Sequence, residues 1–409
     1  MFETLANVFS TAAFKYLTVV DVDPKKSNQH EIGGLVDAGI GSELGMSNDG
    51  LRLSIPATLV YLGEEGEEPI TTEDTVTWYD TRFKDKKRNP EWRLYYKTNN
   101  VTKKLLPGDF FLIARAKCDG SLLMIFCPPG GELEFQIRTL FGALNINALE
   151  IGLKPLTLES DLAIPIGLIF SRYGIEVGST RGNFLPKLKK RFKGEFPNTR
   201  EFSKFARKLA KSICPIESPD EALIEWMEVE ESAFRQLEKY IVSKRLKEGF
   251  GEKGENVDDF IRFSLSVQNR RKSRSGHAFE NHLEFILKES KVIFQRGGLT
   301  EARQKPDFIF PNSSSYADDS FPIEKLRILG AKTTCKDRWR QVLAEAAKIE
   351  RKHLITMEPA ISANQIEQMR ANNLQLIVPA AIQRTYTPDQ IPWLMSFKDF
   401  INEIKDIQK

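Results

Sequence analysis

At 409 residues the chain is long enough for two domains, or three, each with its own core. Its 41% hydrophobic and 28% charged content is that of an ordinary soluble globular protein, and a net charge of +3 is too small to mark a nucleic-acid binder by itself. No run approaches the roughly eighteen apolar residues of a membrane span. The N-terminus MFETLANVF lacks the basic and apolar regions of a secretion signal, so a cytoplasmic protein is expected. Cys118, Cys127, Cys214 and Cys335, like His30, His277, His282 and His353, are scattered without metal-type spacing, which leaves a zinc site or a disulfide framework without support.

From the N-terminus, FKYLTVVDV, RLSIPATLVYL, TVTWYDT, WRLYYKT, DFFLIARA and SLLMIFCPP are rich in β-branched and aromatic residues and are separated by Gly, Asn, Asp and Pro. They predict the short strands of a barrel or sandwich over residues 1–168. Two polar interruptions, DPKKSNQHEIGG (23–34) and YDTRFKDKKRNPEWR (79–93), cluster Lys and Arg with amide or aromatic side chains. That mix suits DNA phosphates and base edges, and equally suits a solvated hairpin tip. Residues 169–185 have the Gly and Ser content of a linker. Between Ser171 and Pro215, twelve Lys or Arg stand against three Glu. In TREFSKFARKLAKSI, Phe202, Phe205 and Leu209 are spaced for the buried side of a helix, which leaves Arg200, Lys204, Arg207, Lys208 and Lys211 outward. Such a face fits a phosphate backbone, and fits a solubility device no less well. PDEALIEWMEVEESAFRQLEKYIVSKRL predicts a second helix, with Trp226, Phe234, Leu237 and Ile241 in a core.

Further on, DDFIRFSLSVQNRRKSRSG places Arg270, Arg271, Lys272 and Arg274 within five positions beside Gln268 and Asn269, ahead of a helix HAFENHLEFILKE. A solvated loop and entry into a DNA groove both account for so dense a cluster. On the helix, Ala278, Leu283 and Ile286 face a core, while Glu280 and Glu284 lie one turn apart. Residues 304–350 then read as a strand PDFIF, a loop of Asn, Ser and Asp, a strand LRILGAKTT and a helix rich in Ala, Gln and Glu. Asp307 opens the first strand, Lys332 lies near the end of the second, and Glu345 sits on the helix, 13 residues past the lysine. Two carboxylates and an ammonium at strand ends are what metal-assisted phosphodiester hydrolysis requires. The carboxylates hold Mg²⁺, and the lysine orients or deprotonates the attacking water. HLITME and LQLIVP read as further strands with QIEQMRANN as a helix between them, and LMSFKDFINEIK closes the chain as an amphipathic helix.

This pattern resembles the PD…(D/E)xK signature of restriction-endonuclease-like folds, with one departure. The acid expected two residues before the lysine is replaced by Gly330, so the second carboxylate has to come from elsewhere, and Glu345 is the candidate. SVQNRRKSRSG (266–276), FENHLE (279–284), KPDFIFP (305–311), the Tyr316 loop, FPIEKLR (321–327) and AKTTCKDRWRQVLAEAAKI (331–349) resemble the catalytic domain of EcoRII-type restriction endonucleases, which cut CCWGG- or CCNGG-like sites. The resemblance implies an α/β restriction-endonuclease-like catalytic domain over residues 186–409, with Asp307 and Glu345 as metal ligands, Lys332 at the nucleophile, Lys336 supporting the phosphate and Glu280 nearby. Tyr316 would orient the nucleophile or phosphate, or pack the loop. Asp337 and Arg338 would read CC:GG, and Gln268, Arg270, Arg271, Lys272 and Arg274 would lie against DNA.

FKYLTVVDV…NQHEIGG, YDTRF…KKRN…WR and the Leu-Pro-Gly-Asp turn resemble the effector-binding domain of the same family, a β pseudobarrel related to plant B3 DNA-binding domains. Carried over by position, one arm holds Lys25, Lys26, Asn28, Gln29 and His30, and the other Arg82, Lys84, Lys86, Lys87, Arg88, Trp92 and Arg93. The expectation is a Mg²⁺-dependent type II restriction endonuclease, a homodimer through its C-terminal domain. It would engage two or more copies of its site on double-stranded DNA, as effector and substrate, and leave 5′-phosphate ends. A cognate DNA methyltransferase would act on the same site without binding the chain. A non-catalytic sequence-specific DNA-binding protein with a decayed nuclease fold is the alternative, and an RNA-processing protein a third reading.

Overall fold

The computed structural model describes residues 4–22, 30–46, 49–63, 67–85, 87–144, 152–158, 167, 169–170, 175, 182–251, 254–335 and 338–409. Expectations for Lys25, Lys26, Asn28, Gln29, Lys86, Lys336 and Asp337 lie outside the described residues, as does the side chain of Lys272. The chain divides into two compact units, Met1–Gly178 with Pro359–Ser362, and Ser179–Glu358 with Ala363–Lys409. No helix among the described residues is long and apolar enough to cross a membrane.

In the first unit, β1 (Phe9–Tyr16), β2 (Glu31–Ile32), β3 (Leu53–Tyr61), β4 (Ile70–Asp80), β5 (Trp92–Tyr95), β6 (Phe110–Ala116), β7 (Leu122–Cys127) and β8 (Lys154–Leu156) form one sheet in the order β2-β5-β4-β3-β7-β6-β1-β8. Neighbours are antiparallel except β3 and β7, which are parallel. The side-chain period of two separates β7 into Leu123, Ile125 and Cys127 in one core and Leu122, Met124 and Phe126 in another, so this strand is buried on both faces. Helix α1 (Glu132–Leu140) covers the first core with Ile137 and Leu140.

The same alternation corrects one expected DNA contact. On β5, Trp92 and Leu94 point inward, and Trp92 stacks on Trp78 at a centroid distance of 5.3 Å. Trp92 is therefore a core residue, whereas its neighbour Arg93 faces outward. Arg93 and Arg82 both pair with Glu91, while Lys84, Lys87 and Arg88 are exposed on the β4–β5 connection. His30 packs its ring on Tyr96 at 5.1 Å, beside Thr98.

The second unit places β9 (Gln295–Arg296), β10 (Phe308–Phe310), β11 (Arg327–Lys332), β12 (Lys352–Thr356) and β13 (Leu374–Ile377) in the order β13-β12-β11-β10-β9. The β9–β10–β11 half is antiparallel and the β11–β12–β13 half parallel. Its helices include α2 (Leu185–Phe192), α3 (Thr199–Leu209), α4 (Pro219–Glu248), α5 (Val257–Glu289), α6 (Trp339–Leu343), α7 (Ala363–Ala371) and α8 (Phe397–Ile407). Register assigns the faces: Phe308, Phe310, Leu329 and His353 share one side, which α8 covers through Phe400. Asp307, Gly330, Lys332 and Lys352 fall on the other.

The basic stretch read as a solvated loop or a DNA-groove contact ahead of a helix is instead the interior of α5, an uninterrupted 33-residue helix that runs through Gly276. Its Arg, Lys and Gln residues are good helix formers, and acids on α4 receive two of the arginines. Arg271 Nε donates to both oxygens of Glu238, at 2.9 and 2.8 Å. Arg274 is buried, paired with Glu231 and laid over the Phe234 ring at 4.1 Å. Arg274 is thus an internal strut rather than a groove contact. Arg274→Ala should lower the unfolding free energy by about 3 kcal/mol, the lower end for a broken buried ion pair because Arg235 still reaches Glu231. Denaturant melting checks this, and a change under 1 kcal/mol (roughly the worth of a surface pair) would contradict it.

Candidate active site

Asp307 stands immediately before β10, and its carbonyl accepts from Gly297 N–H of the neighbouring edge at 3.0 Å. Its Oδ2 accepts two bonds, from the Ala331 amide at 2.7 Å and from Lys332 Nζ at 2.8 Å. Both side chains are largely buried, at 17% and 12% exposure, so this is a sheltered ion pair at the end of two strands. The acid and the amine expected from sequence therefore meet.

Glu345 was expected on a helix, but α6 ends at Leu343 and Glu345 lies in the bend that follows, just before Ala346 at φ +54°. The bend is held from outside. Glu301 accepts from the Ala347 amide and from Tyr316 Oη, and Tyr316 Oη in turn accepts from the Lys348 amide at 3.2 Å. Tyr316, on the short helix Ser313–Ala317, is buried, and burial with the Glu301 bond pushes its phenol up to about 12. It is a permanent donor that props the Glu345 turn. Glu301 had no signature in the sequence that set it apart from other surface acids.

Turned inward, the Glu345 carboxyl is buried, with Oε2 lacking a hydrogen-bond partner. Burial, then the Asp307 charge, pushes it up to about 7, against the pull of Lys332 and Lys352. Lys352, a second lysine that sequence reasoning missed, is buried at the start of β12 and donates to the Ile349 carbonyl at 3.0 Å. Burial lowers its pKa, against Glu301 and Glu345. One face of the sheet thus gathers Asp307 and Glu345 with Lys332 and Lys352.

Gly330 explains why the acid moved. A Cβ built there would lie 2.6 Å from Val342 Cγ2 and 3.5 Å from Leu354 Cδ1. The space that a carboxylate two residues before the lysine would use is filled by Val342 of α6. That close approach carries the chain past the sheet and turns Glu345 back three residues later.

An oxygen-only donor set with one buried, unpartnered carboxylate oxygen beside a second carboxylate fits a hard divalent cation such as Mg²⁺, which is commonly held by one or two carboxylates with water and phosphate completing its shell. No group of three or more His, Cys, Asp or Glu is gathered among the described residues. In the metal-free protein, Glu345 ionises against burial. Its folded pKa lies above its ordinary value, so the stability it contributes is full below about pH 4.5 and is lost as pH rises through about 7. Glu345→Gln should therefore melt a few degrees above the parent at pH 8 without metal, roughly the shift of a 1–2 kcal/mol change, with the gap closing below pH 4.5. Added Mg²⁺ should raise the parent's melting temperature and not the variant's. Thermal melts across pH check both.

The other expected residues are placed as follows. Glu280 accepts from Arg296 at 2.6 Å, and Arg296 also reaches Asn281 and Glu284, at 2.8 and 2.7 Å. Because Arg296 pairs in register with Phe308, Glu280 braces the strand next to Asp307. Arg338 is exposed at the start of α6, after a loop whose Cys335 amide donates to Glu358. Arg270 lies over Phe196 at 4.9 Å, and Gln268 is exposed beside Ser264.

A mixed five-stranded sheet with an acid and a lysine at adjoining strand ends, helices on its flanks and a second acid folded in from the following turn defines a restriction-endonuclease-like domain. Residues 234–401 match the family model described as EcoRII C terminal. Over 389 residues the chain is 29% identical to the type II restriction enzyme EcoRII of Escherichia coli, covering 93% of this chain and 91% of the relative. Among solved structures it is similar to metal-depleted Ecl18kI in complex with uncleaved, modified DNA (TM-score 0.45, 19% identity, 56% of this chain and 84% of that one). It is similar too to metal-depleted Ecl18kI in complex with uncleaved DNA (TM-score 0.42, 18% identity, 56% and 85%).

Proposed function

We propose that the protein is a type II restriction endonuclease that hydrolyses double-stranded DNA with Mg²⁺ at a CC…GG-type site, leaving 5′-phosphate and 3′-hydroxyl ends. The observation that carries this reading is the convergence of Asp307, Lys332 and Glu345, with the vacated acid position at Gly330 packed by Val342. Asp307 and Glu345 would hold the cation, which when bound offsets charge on the scissile phosphate and favours hydroxide. Lys332, which donates to Asp307, would align or deprotonate the attacking water and counter phosphate charge. Glu301 and Tyr316 keep Glu345 turned inward, and Lys352 lies behind it to limit repulsion between the two acids.

Lys336 would support the phosphate, while Asp337 and Arg338 would read CC:GG, the arginine on guanine O6/N7 and the acid on cytosine N4. The eight-stranded unit would be the B3-like effector domain, gripping a further copy of the site through the β1–β2 and β4–β5 connections, whose exposed Lys84, Lys87 and Arg88 suit phosphates. Cutting both strands of a symmetric site calls for two active sites, hence a homodimer through the C-terminal unit in the cytoplasm. The deciding experiment incubates the purified chain with unmethylated plasmid, with Mg²⁺ or EDTA, and sequences the ends. Discrete Mg²⁺-dependent ends at CC…GG sites support the reading. Tight duplex binding without cleavage would support a decayed nuclease instead.

A further inference from the structure

The active-site reading makes no use of the densest positive charge in the chain. Residues 183–213 hold ten Lys or Arg and two Glu, a net of +8 in a chain whose total is +3. This segment folds as α2 and α3, which share one small core. Leu188 of α2 and Phe202 of α3 bury there with Phe234 and Leu237 of α4, and Phe192 joins the two helices by packing on Phe202 and Phe205 at 5.7 and 5.2 Å. With the apolar sides spent on that core, Lys187 and Lys190 of α2, and Arg200, Lys204 and Lys208 of α3, are exposed. The α3 cations recur at every fourth residue, so they form a line on one helix face.

Solubility alone does not account for this arrangement. A solubilising surface intersperses both signs, whereas this segment has only two acids: Glu201, whose carboxylate accepts from the Asn198 side chain that caps α3, and Glu195, which precedes the helix. None of the four lysines has an acidic partner among the described residues. Arg200 lies 3.7 Å from Glu284, which binds Arg296, and Arg296 pairs with the residue after Asp307. Arg296 shares the Phe308 side of the sheet, so the basic line begins beside the strand next to Asp307, on the sheet face opposite Asp307 and Lys332. Helix geometry gives it about 12 Å from Arg200 to Lys208. Over that length one DNA strand offers about three or four phosphates.

We propose that α2 and α3 form a phosphate-tracking surface for duplex DNA, engaging the backbone without reading its sequence. Only the choice of duplex DNA as partner rests on the endonuclease reading. The test is binding of a labelled random-sequence duplex without metal, by anisotropy over a salt series. Lys204→Gln/Lys208→Gln should lower the slope of log affinity against log salt by about 2, and adding Lys187→Gln/Lys190→Gln should lower it by about 3 to 4, at roughly 0.9 per lost contact. Lys398→Gln/Lys405→Gln on α8 removes equal charge elsewhere and should change the slope by much less. Circular dichroism and melting confirm that each variant is folded; if the quadruple variant fails that control, the double variant decides alone. An unchanged slope for the α3 pair, or an equal loss for the α8 pair, would overturn the proposal. Failure of the endonuclease reading shows separately, as an unmutated chain that leaves plasmid intact with Mg²⁺.

Discussion

Asp307→Asn and Lys332→Ala should each abolish cleavage in practical terms, with single-turnover rates down by about 10²–10⁴, while duplex binding measured in EDTA is retained. Asparagine at 307 keeps an acceptor for the Ala331 amide, so the strand ends stay in place and only the charge is lost. Lys332→Ala removes one of the two donors to Asp307 Oδ2 and the positive charge beside it, while the Ala331 amide still holds the carboxylate in place. The contrast between the two variants is informative. Asp307→Asn should raise the Mg²⁺ concentration needed for half-maximal rate, whereas Lys332→Ala should lower the rate at saturating Mg²⁺. A rate loss under tenfold in either would argue that the chemistry lies elsewhere.

Restoring the ordinary motif should fail, and the reason is steric. Glu345→Gln should cost about as much rate as Asp307→Asn, because both remove a charged oxygen from the same cation. Placing the acid at the usual position, Gly330→Glu on the Glu345→Gln background, should not recover it. The new Cβ would meet Val342 Cγ2 at 2.6 Å, and overpacking of that kind costs about 1–3 kcal/mol of stability. Trimming the obstacle with Val342→Ala should recover stability and part of the rate. Full recovery by Gly330→Glu alone would show that the position was open and that Val342 does not explain the relocated acid.

How legible was this in the sequence? The short apolar runs of the first unit and the β10–β11–β12–β13 strands could be read because two-residue alternation and β-branched content report burial directly. So could the pairing of Asp307 with Lys332, since both residues sit at strand ends. The fate of the arginines was not legible. Arg271 and Arg274 look like groove-seeking cations in a linear reading, but their partners, Glu238 and Glu231, lie more than thirty residues away on α4. Trp92 was misplaced because its neighbours in sequence are charged, although the strand alternates them to the other face. Near the site, Ala-rich composition predicted a helix through Glu345, but local propensity gave way to Glu301 and Tyr316, which capture the 347–348 amides and close the chain into a turn. Contacts between segments far apart in sequence leave no local pattern to read.

The central claim is that Asp307 and Glu345 hold a single divalent ion. Crystals of the protein soaked in Mn²⁺ and measured at the manganese absorption edge test it directly. The account predicts one anomalous peak at ordinary coordination distance from an oxygen of each carboxylate, lost in Glu345→Gln. A peak bound by Asp307 alone, or unchanged when Glu345 is replaced, would contradict it.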